Sequence, residues 1–488
     1  MALRKKKKAS AHHFQKRQIA SSADVLGWSE VVKINNIMRR PESGGTHLGS
    51  FFRDLANVHL AMHDAYNIIQ WKYEPFYVAF TATSQTARSA APDLAALTAG
   101  YRLLLPLIDN AISSASPEEK SSYESLKKNL EDLYVESVAK ISDGEARKNS
   151  VAIGEEVAKL YQIVRNESFT PIPYKVSTER GQFRFEEGDV GDDEDWAGTK
   201  PYGICNLEAA SGGVRQKPFS PTDLKKATYL RDYEYTRCIG RKDDENGIPT
   251  KGPGCKVVAS EEDLKFFYAM DISGHTVANQ IVKRVVEHLN SSFPEALRLF
   301  AGANLAMADA TISSWKTRQR VNHWRPFTAI RNGLSDKSLP GATQEPDWIS
   351  RSQDVPNFPE FFSGNVTIMG APIAWIAKAL SENSKSKGNG YDVSNLNGKP
   401  LTFRFEGVYK KNGVEIPVAQ EFTDLKKMNE ANARSRVLSG DHFPESTKVA
   451  LAFADRMGRK TYELKFLRPY SKDSVLQVDA QGLIKRCQ

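Results

Sequence analysis

The sequence predicts an all-α fold, a large helical bundle with one small β-hairpin excursion. Apolar residues recur at spacings of three and four through most of the chain, and helix-opening signals stand before several of these runs. The one clear stretch of period two is short and centres on Lys411-Asn412-Gly413. With 488 residues, 40% hydrophobic and 10% aromatic, the chain has ample material for a core.

From Trp28 to Ile69 the pattern is helical, with Leu55, His59, Met62, Tyr66 and Ile69 on one face. His59 and His63 lie four apart with Asp64 adjacent, but no third ligand is evident, so buried, hydrogen-bonded imidazoles are expected rather than a metal pair. Helical patterns continue over Leu94 to Ile108 and Pro117 to Val164, the second opening on Ser116-Pro117-Glu118-Glu119, an N-cap followed by proline and acids. Between Phe169 and Thr222 proline, glycine and acidic residues predict a long irregular excursion, placed to cover a site mouth. Its acidic run, Glu186 to Asp195, lacks the spacing of a calcium loop and reads as a solvated segment.

Helix is expected again over Pro221 to Cys238, Glu261 to Leu289 and Pro294 to Trp315, with a Gly/Lys/Asp loop from Gly240 to Gly254. In the last run Leu297, Ala301, Leu305, Ala308, Ile312 and Trp315 form a stripe. If helix continued, Arg318 and Arg325, seven apart, would share a face roughly 10 Å from each other. Ser363-Gly364-Asn365 opens an apolar helix running to Leu380. Alternation from Leu401 to Val418 predicts the hairpin. Ser435 to His442 then precedes a helix from Glu445 to Met457, with Gly440 permitting the turn between. The expected organisation is a basic, disordered tail over 1–27, a helical body over 28–460 and an extended tail over 461–488.

The net charge of +8 is concentrated at the start, where Arg4, Lys5, Lys6, Lys7, Lys8, Lys16 and Arg17 meet no acid. Of the 67 basic residues 60 remain beyond that tail against 59 acids, so the body offers no field for specific nucleic-acid or membrane binding. No apolar run reaches the roughly 18 residues of a transmembrane helix, and no secretory h-region opens the chain, which favours a soluble, intracellular (cytoplasmic) protein. Cys205, Cys238, Cys255 and Cys487 lack zinc-type spacing; reduced thiols are expected, with Cys238 and Cys255 the pair open to a disulfide.

Three short segments carry the chemistry: Arg318 to Pro326 (RQRVNHWRP), Phe362 to Asn365 (FSGN) and Ser435 to His442 (SRVLSGDH). Guanidinium forks match the edges of a tetrahedral oxyanion, while a hydroxyl, a backbone N–H beside glycine and an imidazole fill other directions. A helix opening at Ser363-Gly364 would add backbone donors and partial positive charge. Ser363 as a simple N-cap fits the same local sequence.

In order and spacing these segments resemble the vanadium-dependent haloperoxidases, related to the type-2 phosphatidic acid phosphatases, whose pattern is K-x6-RP, PSGH and SR-x5-H-x3-D. The first and third blocks match in spacing as Arg318-x6-Arg325-Pro326 and Ser435-Arg436-x5-His442. Ala56 to Ile69, Asn304 to Trp315, His323 to Arg331 and Phe358 to Gly364 extend the resemblance to bacterial-type members, over roughly residues 28 to 460. The resemblance implies a helical bundle of the vanadium haloperoxidase type. It also implies Arg318, Arg325, Ser363, Gly364 and Arg436 as oxyanion ligands, and His442 as the apical vanadate ligand or, on phosphorus, the nucleophile.

Three positions depart from the pattern. Arg318 replaces lysine, keeping charge but changing shape. Asn365 replaces the acid-base histidine and cannot titrate near neutrality, leaving nearby His323 as a stand-in. Ser446 replaces the aspartate that orients the imidazole in phosphatases. The implied function is peroxide-dependent halide oxidation on bound vanadate, with hydrogen peroxide, halide and an organic small molecule as partners. The alternatives are a metal-free phosphatase, an isoprenoid diphosphate cyclase, whose leaving group needs no proton, and a non-catalytic oxyanion-binding relative. Trp315, Trp324, Phe327 and Phe361 suggest an apolar lining for an organic substrate.

Overall fold

The computed structural model describes residues 26–37, 48–79, 84–166, 171–185, 190–194, 196–331, 342–353, 356–382, 389–464, 467, 469 and 483–484. Most of the basic tail, most of the acidic run's carboxylates, Cys487 and most of the chain after 467 lie outside them. The helices are α1 Trp28–Ile37, α2 Leu48–Gln70, α3 Ser84–Ser89, α4 Pro92–Ser114, α5 Pro117–Ala139, α6 Glu145–Asn166, α7 Leu207–Ser211 and α8 Pro221–Leu224. They continue as α9 Ala227–Ile239, α10 Glu261–Met270, α11 Gly274–His288, α12 Phe293–Val321, α13 Pro326–Arg331, α14 Gly364–Glu382, α15 Leu425–Leu438 and α16 Pro444–Glu463. A single antiparallel hairpin, β1 Phe403–Lys411 and β2 Val414–Phe422, turns on Asn412 and Gly413, both at positive φ.

Helix α12 is the axis of the molecule. Of its 29 residues only Glu295, Lys316, Gln319 and Arg320 are not buried, so the apolar stripe seen in sequence is one side of a helix covered nearly all round. It packs against α2 from the first half and α11, α14 and α16 from the second. One hydrophobic cluster runs from Leu26 to Leu467 through all of these elements.

Helices α2 and α12 share a short repeat, Leu60-Ala61-Met62-His63-Asp64-Ala65 and Leu305-Ala306-Met307-Ala308-Asp309-Ala310. Each aspartate does the same work. Asp64 accepts the backbone N–H groups of Phe76, Tyr77 and Val78 at 2.6–2.8 Å. Asp309 accepts those of Tyr202, Gly203 and Ile204 at 2.7–2.8 Å. A buried carboxylate thus satisfies three donors of a returning chain in each half.

Several expectations change in detail. The run from Pro117 to Val164 is two helices, broken at Lys140–Gly144, while Ser116 is the N-cap as predicted and forms a capping box with Glu119. Helix α12 continues past Trp315 to Val321, and Asn322 in the left-handed region (φ 49°) stops it. Arg318 and Arg325 therefore do not share a helix face. His59 is buried as expected but stacks on Phe300 (4.9 Å between centroids), with neither ring nitrogen hydrogen-bonded among the described residues. His63 bonds Asp64 at 3.3 Å. Cys238 and Cys255 form a disulfide, against the expectation of reduced thiols. No helix among the described residues is long and apolar enough to cross a membrane, and none of their His, Cys, Asp and Glu side chains form a metal-holding group of three.

Candidate oxyanion site

Three connections bring the site together. After Asn322 the chain runs extended through His323, Trp324 and Arg325 before Pro326 opens α13. The excursion lies against it: Phe183 N–H donates to Asn322 O (2.8 Å), Trp324 N–H to Gly181 O (3.2 Å), and Gln182 bridges His323. Residues 356–363 then lead into α14, and Ser439 to Phe443 join α15 to α16 through Gly440 at φ 85°. Gly240 and Gly440 approach so closely that a Cβ on Gly240 would lie 2.5 Å from Gly440 Cα.

Arg318 and Arg325 are both buried, at 0% and 1% exposure, and neither has an ion-pair partner among the described residues. Arg318 donates Nη1 to Pro359 O (2.6 Å) and Nη2 to Phe362 O, and its guanidinium lies 4.7 Å from the ring centres of Trp315 and Phe358. Arg325 donates Nε to Phe358 O (3.0 Å) and Nη1 to Asp441 O (3.1 Å). Arg318 Nε, Arg325 Nη2 and Ser363 Oγ remain buried with no hydrogen-bond partner among the described residues. Burial, then the charge of Arg325, pulls Arg318 down to about 9, and burial moves Arg325 in the same direction. Two such cations demand a negative group.

Gly364, the first residue of α14, lies against this pair: a Cβ there would meet Arg318 Nη2 at 2.9 Å and Trp315 at 3.0 Å. The first N–H groups of α14 have no partner within their own helix. His442 Nε2 sits 3.4 Å from Arg325 Nη1, and its Nδ1 is 2.8 Å from Glu360 Oε1. Burial and the charges of Arg325, Arg318 and Arg436 hold the imidazole well below its ordinary range.

Two sequence candidates are engaged elsewhere. Arg436 donates Nη2 to Asp271 Oδ1 (2.6 Å) and lies 3.9 Å from Asp441 Oδ2, so part of its fork is already occupied. Asn365 donates Nδ2 to Ile272 O (3.0 Å), tying the start of α14 to the α10–α11 connection. His323 is no substitute acid: it is buried, pulled down to about 3 by desolvation, near Gly181 O (3.1 Å) and stacked on Phe219. Of the four aromatics, Phe361 lines a cavity of about 730 Å³ beside the site, Trp315 supports Arg318, and Trp324 and Phe327 pack in a separate apolar cluster.

Glu360 is the residue that spacing does not reveal. It is fully buried, and desolvation raises its carboxyl to about 7 against the pull of Ser446, Arg325, Arg318 and the Phe443 N–H. Its only signal in sequence is position, three residues before Ser363. Ser446, at the position of the phosphatases' orienting aspartate, lies 3.5 Å from His442 Nδ1, the limit of a hydrogen bond.

Against known proteins, residues 298–468 match the family model of the VCPO second helical-bundle domain. Among solved structures, the first bacterial vanadium-dependent iodoperoxidase is similar at 18% identity, over 92% of this chain and 98% of that one, with a TM-score of 0.62. The holo-type bacterial vanadium-dependent chloroperoxidase follows at 14% identity, over 91% and 98%, with a TM-score of 0.60. The apo-type chloroperoxidase is 14% identical over 87% and 95%, with a TM-score of 0.55. No curated protein matches in sequence. The chain has the vanadium haloperoxidase helical-bundle fold, and the resemblance carried by its motifs to that family is supported.

Proposed function

We propose that this chain is an enzyme that binds a tetrahedral oxyanion between Arg318, Arg325, Ser363, Gly364 and His442, and that vanadate is the anion. One observation carries the reading: among the described residues two buried guanidiniums have no carboxylate partner, and Arg318 Nε, Arg325 Nη2 and Ser363 Oγ have no hydrogen-bond partner, beside His442 Nε2. The donor set suits vanadate or phosphate, and His442 Nε2 would hold it alongside the guanidiniums. When bound, vanadate supplies Lewis acidity toward hydrogen peroxide for oxidation of a halide. The chain's residues orient and neutralise the anion; Arg436 reaches it only by sharing or leaving Asp271.

Diphosphate chemistry is the second reading, favoured by Asn365. Its amide is committed to Ile272 O and cannot give a proton to a leaving alkoxide, whereas a diphosphate departs without one. Purified protein titrated with orthovanadate, then assayed with peroxide plus bromide and in parallel with prenyl diphosphates, separates the two. His442→Ala is expected to weaken vanadate binding by at least about 10-fold; unchanged binding would remove His442 from the site. Asn365→His should raise bromide oxidation by about 10²-fold or more if only the missing acid-base group limits turnover. No gain would favour the diphosphate reading.

A further inference from the structure

We infer that Glu360 is the positioning residue for His442, taking over from another element the imidazole-orienting task for which the third block offers only Ser446. The inference rests on the oxyanion-binding reading and names what prepares its imidazole nitrogen.

The two contacts of the imidazole make opposite demands. Arg325 can only donate, so His442 Nε2, 3.4 Å from Arg325 Nη1, must present its lone pair. The single ring proton then belongs on Nδ1, 2.8 Å from Glu360 Oε1. The donor-only guanidinium thus selects the tautomer and Glu360 Oε1 accepts its proton, and it is the tautomer a ligand at Nε2 requires. An arriving oxyanion would replace a weak arginine contact at Nε2 without disturbing Nδ1.

Glu360 is itself held in place by the oxyanion machinery. Its N–H donates to His323 O (2.8 Å), and the carbonyls of the two residues before it are gripped by Arg325 at Phe358 (3.0 Å) and by Arg318 at Pro359 (2.6 Å). Phe443 N–H donates to the same Oε1 (3.3 Å), fixing which oxygen faces the ring. The arginines that offer donors to the anion thus also set the carboxylate that sets the imidazole. Glu360 Oε2 is buried, next to the cavity shared with Phe361, Phe443 and Ser446.

The full-length protein, labelled with ¹⁵N at histidine, tests this in wild type, Glu360→Leu and Glu360→Leu/Ser446→Asp, with His442→Ala assigning the resonances. In the anion-free wild type His442 should show a protonated Nδ1 and an unprotonated Nε2. Glu360→Leu should lose that single tautomer and weaken orthovanadate binding about 10–100-fold, and the added aspartate should restore both. A wild-type His442 protonated on Nε2 overturns the inference, even if the variants fail to fold. So does a folded Glu360→Leu with unchanged tautomer and affinity. If wild type binds neither orthovanadate nor phosphate, the oxyanion reading fails while the tautomer measurement still decides the role of Glu360.

Discussion

His59 faces Phe300 with both ring nitrogens buried and unpaired among the described residues, and its folded-state pKa is pulled down from 6.5 to about 3 by desolvation. The unfolded chain takes up a proton below about 6.5 that the folded chain refuses. Stability is therefore complete above that pH and is lost as pH falls toward 3, at a limiting slope of about 1.4 kcal/mol per pH unit for this group. His59→Leu, of similar volume and without polar atoms, should leave the urea midpoint at pH 7 unchanged or raised and make the decline from pH 6.5 to pH 4 shallower. An unchanged acid slope would show that His59 is protonated in the folded state. The sequence places His59 on a buried face through its three-four spacing, but its missing partners depend on what Phe300, far along the chain, presents to it. Glu360 is harder still to read, since its contact with His442 spans 82 positions and obeys no local period.

At the scale of elements, spacing located the helices well and their ends less so. Asn322 stops α12 because an amide tolerates the left-handed backbone that most side chains resist, and the two arginines then converge through a turn rather than along one face. The repeat in α2 and α12 is present in the sequence, yet its meaning appears only when both aspartates are seen gathering three N–H groups. Close helix contact was likewise invisible: a Cβ at Gly302 would fall 2.0 Å from Trp375 Cζ2, where α12 crosses α14. Gly302→Ala gains helix propensity of about 1 kcal/mol but must separate the helices, at a cost of about 1–3 kcal/mol or more. A net loss of stability is expected, read as a lower urea midpoint, together with weaker vanadate binding because α12 and α14 carry Arg318 and Gly364. A midpoint above wild type would mean that Trp375 can move freely.

For the molecule as a whole, α12 ties the halves together. Its faces are shared between α2 and the α14–α16 group, and one apolar cluster crosses from the first helix to the last. Unfolding should be a single cooperative transition, with circular dichroism and tryptophan fluorescence giving coincident midpoints despite the repeated architecture. Two separated transitions would show that the halves unfold independently. The helical class was legible from periodicity alone because helix signals are local. The assembly around one central helix was not, since a stripe of apolar residues predicts one buried face and does not say that a second partner covers the other.

The grip of Arg318 on Pro359 and Phe362 also has a kinetic meaning. The segment bearing Glu360 and Ser363 is already fastened before any anion arrives, so capture needs little rearrangement of the backbone around it. Association with orthovanadate would then be a single event, its observed rate rising in proportion to anion concentration without reaching a plateau. What slows entry would be the narrowness of the route to two buried cations, and what slows exit would be the strength with which they hold their guest.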